Sequence, residues 1–189
     1  SGGADNTASG AFSTIGGGST NDALGEASTV AGGFANQATQ IDSAVAGGSE
    51  NVASGAGTFI GGGSQNIASG NYSTTTGGLT NESADIYAAI GGGTLNFSAG
   101  DASTVAGGYF NDATNLDAVV GGGSENIASG IASTIPGGSQ NTAAGDFSFA
   151  SGFGATVGAA HDGAMLMADG RQYFFFSARP NEFAVRATG

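Results

Sequence analysis

The sequence predicts an all-β chain, a parallel β-solenoid of about ten 15-residue coils. Three observations carry that reading: an asparagine that returns once per coil, a glycine that does the same, and a side-chain spacing of two between them. The asparagines are Asn6, Asn21, Asn36, Asn51, Asn66, Asn81, Asn96, Asn111, Asn126 and Asn141. The glycines stand at 17, 32, 47, 62, 77, 92, 107, 122, 137 and 152. Each unit reads roughly N-x-A-x-G-x-x-S-x-(I/V)-x-G-G-x-x, and the units run from Asn6 to about Ala155.

The asparagine opens the first strand of each coil. Alternation sends Asn, then Ala (Ala8, Ala23, Ala38 and their equivalents), then Gly to one face. The x-x pair that follows is a turn. A positive φ is expected in the turn glycine columns, and the one at Gly10 and Gly25 becomes Gln40, Asp85 and Asn115 in three coils. The second strand then sends Ser13, Ser28 and equivalents inward, beside Ile15, Val30, Val45, Ile60, Ile90, Val105, Val120 and Ile135. A Gly-Gly-x-x turn closes the coil. A helical repeat is excluded, because three or four Gly per unit cost about 1 kcal/mol each relative to Ala.

The outward positions differ between the strands. The first strand carries Asp22, Gln37, Glu82 and Asp112, so it faces water. The second carries Thr14, Thr29, Phe59, Thr74, Thr104, Val119, Thr134 and Phe149, with Ala44 and Ala89 between, and no charge in any coil. An uncharged face of small residues along so acidic a chain predicts burial against a partner. A roll one side chain thick also buries little apolar area for each residue that it orders, which again asks for a partner. A longer pattern overlies this one. Gln37–Glu50 resembles Asp112–Glu125, and Val52–Gln65 resembles Ile127–Gln140, a shift of five coils that marks duplication of a five-coil block.

Composition narrows the function. The chain has 189 residues, 38 of them Gly, with no Cys and a net charge of −12. Disulfides and thiolate metal sites are therefore excluded. Residues 1–160 contain no Lys or Arg, and Arg171, Arg179 and Arg186 all lie in the last thirty positions. A surface of that sign repels phosphate backbones, so no nucleic-acid partner is expected. No apolar run approaches the roughly 20 residues of a membrane helix, so no membrane insertion by this segment is expected. The chain begins Ser1-Gly2-Gly3 in mid-repeat and is expected to be a piece of a longer polypeptide.

The segments S-T-I-G-G-G-S-T-N (13–21) and N-I-A-S-G-I-A-S-T-I-P-G-G-S-Q-N (126–141) resemble the YadA-like head repeats of trimeric autotransporter adhesins. The resemblance covers about residues 5–155. It implies a left-handed parallel β-roll, a homotrimer with three chains around one axis, and an extracellular place on a cell surface or a virion fibre. The repeat here is one position longer than is usual in that family, and the added position is read as an extra turn residue. Phe147–Gly152, His161-Asp162-Gly163 and Asn181–Ala187 are similar to the segment that closes such heads in bacterial and phage fibre proteins, ahead of an intramolecular chaperone module. Residues 1–155 are thus expected as head repeats and 156–189 as a small β-rich cap. That cap, which includes Phe183, is expected to fold over the last coil and exchange contacts between subunits, with Tyr173, Phe174, Phe175 and Phe176 buried and the three arginines paired with carboxylates, those of neighbouring chains included.

Residues of chemical interest mostly have structural readings. The asparagine column is read as a ladder whose amides satisfy turn backbone groups and each other, and the column Thr14–Phe149 as the trimer interface. Asn71-Tyr72-Ser73, Asn81-Glu82-Ser83 and Asn96-Phe97-Ser98 match the glycosylation pattern, which chance explains in a chain so rich in Asn and Ser. The Gly triplets lack the Lys and helix of a phosphate loop. His161, Asp162 and Asp169 form the one acid/base set, with no nucleophile or pocket indicated, so no catalytic residue and no enzyme is expected. No cofactor is expected either, beyond incidental Ca²⁺ at a trimer junction near Glu26, Asp42, Asp101, Asp117 or Asp146. The aromatics Phe12, Phe34, Tyr72, Tyr87, Tyr109, Phe110 and Phe147 pack between subunits or meet a receptor. The expected function is a structural, adhesive fibre segment that attaches to host or environmental surfaces through an unknown protein or glycan receptor. A phage tail-fibre or secreted fibre shaft stays open beside it. An ice-binding solenoid is the third reading, weakened because Ala44, Phe59, Ala89, Val119 and Phe149 break the Thr column.

Overall fold

Short strands need a turn every few residues, and the repeat supplies one on each side of both strands. A computed structural model describes residues 2–170 and 173–187 and shows a parallel β-solenoid of about 12 turns, with no helix among the described residues. Ser1–Leu95 and Asn96–Gly189 form two units.

In the first unit, the first strands are Thr7–Ala8, Asp22–Ala23, Gln37–Ala38, Val52–Ala53, Ile67–Ala68 and Glu82–Ser83, hydrogen-bonded in that order. The second strands are Thr14–Ile15, Thr29–Val30, Ala44–Val45, Phe59–Ile60, Thr74–Thr75 and Ala89–Ile90. Partners are parallel and one full repeat apart, as in Asp22↔Gln37 and Val30↔Val45. A third row of single bridges runs Ala4, Ser19, Phe34, Ser49, Ser64, Leu79, Thr94. Ala23, Val30, Ala38, Val45, Ala53, Ile60 and Ala68 make one buried cluster, so Ala from one strand meets Ile or Val from the other. Two inward polar replacements face each other. Thr75 replaces an aliphatic residue and Ser83 an Ala, and their hydroxyls lie 3.0 Å apart in the interior. A buried hydroxyl left alone would cost about 1–3 kcal/mol.

The second unit repeats this plan. Its first strands are Phe97–Ser98, Asp112–Ala113, Ile127–Ala128, Thr142–Ala143, Ala155–Val157 and Phe175–Phe176. Its second strands are Thr104–Val105, Val119–Val120, Thr134–Ile135, Phe149–Phe153, Met165–Ala168 and Phe183–Arg186. The inward Ser98 is again matched, by Ser103 at 2.7 Å.

Three expectations need correction. The positive φ does not fall on the Gly10/Gly25 column. It falls on the second glycine of each Gly-Gly turn, as expected of a turn glycine (Gly18 at 89°, Gly78 at 95°), and on two columns that mostly carry a Cβ: the residue before each ladder asparagine (Thr20 at 55°, Thr80 at 54°) and the turn apex after each first strand (Phe12 at 61°, Tyr87 at 57°). Gly25 is demanded by stacking, since a Cβ there would stand 2.0 Å from the carbonyl oxygen of Gln40. Second, Gly152 does not continue the Gly137 column. It pairs with Gly138, because the corner after Phe149 is one residue shorter than those before it.

The third correction concerns the tail. Its strands join the existing rows, pairing Phe149↔Met165, Met165↔Phe183 and Ala155↔Phe175, so coiling outlasts the 15-residue register. A parallel ladder fixes only the strand residues, and the loops between them are free to lengthen. Within the chain, Tyr173 (75 % exposed), Phe174, Phe176 and Phe183 (69 %) are not buried, and Phe175 is half-buried. Alternation is the cause for Phe176 and Phe183. The interior takes every second side chain of a strand, here Leu166, Ala155 and Val157, and the alternate residues point outward. Of the arginines, Arg186 pairs with Asp169 at 2.9 Å, and Arg179 is exposed with no ion pair among the described residues. Arg171 lies outside the described residues.

Candidate functional site

The asparagine column is built into the wall of each unit. Asn36 shows the pattern. Its backbone N–H donates to Oδ1 of Asn21 (3.0 Å), and its Nδ2 donates to the same oxygen (3.2 Å) and to the carbonyls of Gly32 (3.1 Å) and Gly48 (2.8 Å). The links recur at Asn51, Asn66 and Asn81 in the first unit and at Asn111, Asn126 and Asn141 in the second. Asn6 starts the column with Nδ2 on the Gly18 carbonyl, and Asn96 reaches the Gly108 carbonyl. The second unit's ladder closes when Asn141 Oδ1 accepts the Ala155 N–H (2.9 Å). Every member from Asn21 onward is buried, so no receptor can touch this row. The same burial takes Asn81 and Asn96 out of reach as acceptors of modification, whereas Asn71 is exposed and receives the Ala56 N–H (3.0 Å).

The surface carries what remains. In the first unit, Thr14 and Phe59 are exposed and Thr29 and Thr74 half-buried on the outward side of the second strands. In the second unit Thr104, Val119, Thr134 and Phe149 stand in register as a half-buried column. The columns then run on through Met165, Met167, Phe183 and Val185. Sequence reasoning missed this, because the broken register hid the pairing and left Phe183 assigned to a cap.

The aromatic corners are exposed: Phe12, Phe34, Tyr72, Tyr87, Tyr109, Phe110 and Phe147. Tyr72 and Tyr87 stack with ring centroids 5.5 Å apart and planes at 15°. In the second unit Tyr109, Phe110, Glu125 and Ile127 line an open hollow of about 410 Å³. Gln140 holds the Glu125 carboxylate through a 2.9 Å hydrogen bond. Beside the hollow, Asp112 pairs in register with Phe97 and Ile127, and burial raises its carboxyl above the ordinary range. His161 is tied to Ser177, Nδ1 to Oγ at 2.5 Å, and the same hydroxyl accepts the Gly158 N–H (3.1 Å). That contact stitches the tail's corner to the next strand.

Stacked coils, an amide ladder in the wall and interchangeable outward columns define a repeat protein of the parallel β-solenoid class. Residues 28–39 match the Ubiquitous surface protein adhesin repeat. On this solenoid the match supports a YadA-like repeat protein of the adhesive fibre type. No curated protein matches the chain.

Proposed function

We propose that this chain is a segment of a homotrimeric fibre displayed at a cell surface, with a structural and adhesive role and no catalytic one. The observation that carries the reading is the distribution of acid. In the coils, Asp and Glu occur before the ladder asparagine (Asp5, Glu50, Glu125), outward on the first strand (Asp22, Glu82, Asp112) and along the turn that follows (Asp85, Glu26, Asp101, Asp146, Asp42, Asp117). None occurs on the second strand or at the Gly-Gly pair. Copies of a chain with a net charge of −12 meet at least electrostatic cost along the half of the coil that has no charge. Thr14, Thr29, Phe59, Thr74, Thr104, Val119, Thr134 and Phe149 then face the axis, and the acidic half faces water and receptor. The Tyr72–Tyr87 stack and the Tyr109–Phe110 hollow are the receptor contacts this arrangement leaves outside, suited to a glycan ring or a protein side chain.

Light scattering on the purified chain, followed by its binding to arrayed glycans and immobilised matrix proteins, tests the proposal. Three chains per particle and saturable binding that weakens in Tyr72→Ala or Tyr109→Ala are expected. Val119→Lys should dissociate the trimer and Asp112→Lys should not. A monomeric wild type overturns the assembly, and a trimer that binds neither array overturns the adhesive role.

A further inference from the structure

The last two turns carry an apolar cluster that the chain itself leaves uncovered. Parallel pairing puts Phe149, Met165 and Phe183 in one outward column and Ser151, Met167 and Val185 in its neighbour. Met165 is 42 % exposed, Met167 44 % and Val185 51 %, so the cluster is open to solvent. Earlier in the same unit the first of these columns holds Thr104, Val119 and Thr134, all smaller than Phe or Met and two of them hydroxylated. A contiguous patch of Phe, Met and Val at the end of a Thr-lined strip marks a contact site.

We infer that this cluster is the anchor through which copies of the chain associate, so that the binding energy of the assembly concentrates in the last two turns. The inference rests on the homotrimer reading and adds to it the place where that assembly is held. The occupant is another copy of the same cluster, and charge decides this. No acidic or basic residue stands in either column. Arg186, adjacent to Val185, turns its guanidinium to Asp169. A cyclic assembly brings each column against its own equivalents, which only an uncharged column tolerates in a dry interface. Interfaces concentrate their energy in a few large apolar anchors. Phe183 and the two methionines qualify by size and adaptability, and the threonines further back do not.

Phe183→Asp and Met165→Glu test the anchor, because both positions are solvent-exposed in the single chain and tolerate a charge there. Light scattering over a dilution series should show the midpoint concentration for dissociation rising about 100-fold or more in each, with an unchanged β signature by circular dichroism. Gln37→Glu, on the acidic half, should leave it unchanged. The chain has no Cys, so Ser151→Cys supplies a second readout: oxidation should cross-link Ser151→Cys and leave Ser129→Cys as single chains. If Phe183→Asp assembles like wild type and Ser151→Cys stays uncross-linked, the homotrimer stands and the anchor is wrong. A wild type that is monomeric at every concentration refutes the homotrimer itself. A monomer that binds phosphatidylcholine vesicles and loses them in Phe183→Asp overturns the inference in favour of a lipid occupant.

Discussion

The backbone N–H and the side-chain Nδ2 of Asn51 both end on one atom, Oδ1 of Asn36, at 3.1 and 3.0 Å. The same Nδ2 reaches the carbonyls of Gly47 and Gly63, each at 3.0 Å. One buried amide therefore ties its own coil to the coils before and after it. Asn51→Asp puts acceptors against three oxygens and leaves a buried charge. It should cost about 3–5 kcal/mol. Asn51→Ala, which removes the bonds without adding a charge, should cost about 2–4 kcal/mol. Urea unfolding of both proteins measures this, and an Asn51→Asp variant as stable as wild type would sink the ladder as a source of stability.

Backbone strain makes an opposite prediction two residues from a glycine. Thr80 holds φ at 54° and is exposed, whereas Gly78 holds 95° with a would-be Cβ 2.1 Å from the Gly93 carbonyl oxygen. A left-handed, β-branched residue costs about 1–2 kcal/mol, and the greater freedom of Gly in the unfolded chain offsets about 0.4–1 kcal/mol of any relief. Thr80→Gly should thus raise stability by up to about 1 kcal/mol, and Gly78→Ala should lower it by at least about 2 kcal/mol. Thermal melts read both signs. A destabilised Thr80→Gly protein would mean that its hydroxyl or Cβ makes a contact worth more than the strain.

These positions show what the sequence discloses and what it hides. Asn51, Ala53, Ser43 and Val45 announce the two strands because stacking makes every coil face the same neighbours, so one column of letters reports one environment. Left-handed φ leaves such a trace where a Cβ would strike the next coil, as at Gly48 and Gly78, and none at the turn apex. Phe12, Ala27, Asp42 and Tyr72 share the conformation but no side-chain chemistry; what recurs is backbone, as the Ala27 N–H donates to the Ala11 carbonyl (2.7 Å) and the Tyr72 N–H to the Ala56 carbonyl (2.8 Å). The tail hid for a different reason: Met165 and Phe183 keep the pairing, but their separation is longer than one repeat, so no fixed period connects them. The uncharged column on the second strands is legible directly, since the absence of Asp and Glu shows in any alignment of the coils with themselves.

Asp112 turns burial into a pH dependence. Its carboxyl is held above the ordinary 3.8 by desolvation, between Phe97 and Ile127 on the outer side of the first strands. A folded-state pKa above the unfolded one means that folding favours the proton. The associated stability is full below the unfolded pKa and is lost as pH rises through the folded value. Asp112→Asn should therefore melt above wild type at pH 7, with the gap closing as pH falls below the ordinary carboxyl value. A gap that is constant with pH would assign the effect to packing or hydrogen bonding and remove the titration from the account.

Arg186 closes the last turn. Its Nε donates to Asp169 Oδ1 at 2.9 Å, Nη1 donates to the Tyr173 carbonyl, and Nη2 reaches the Phe153 carbonyl at 3.4 Å. The guanidinium also lies 5.5 Å from the centre of the Phe175 ring. The backbones join as well, Asp169 N–H to the Arg186 carbonyl at 3.1 Å. A single planar fork thus fastens the final strand to two earlier segments and covers a half-buried ring that the narrow interior cannot enclose. Lysine offers one point charge and no plane, so it can keep the Asp169 contact only by giving up the carbonyls and the ring. Arg186→Lys should leave the coils from Asn96 to Ala150 unaffected and loosen Phe183–Arg186 alone. Hydrogen exchange is the measurement that separates these: amides of residues 183–186 should exchange about tenfold faster or more, which corresponds to about 1.4 kcal/mol of local stability. Equal protection in Arg186→Lys and wild type would show that strand pairing holds the last turn without the arginine.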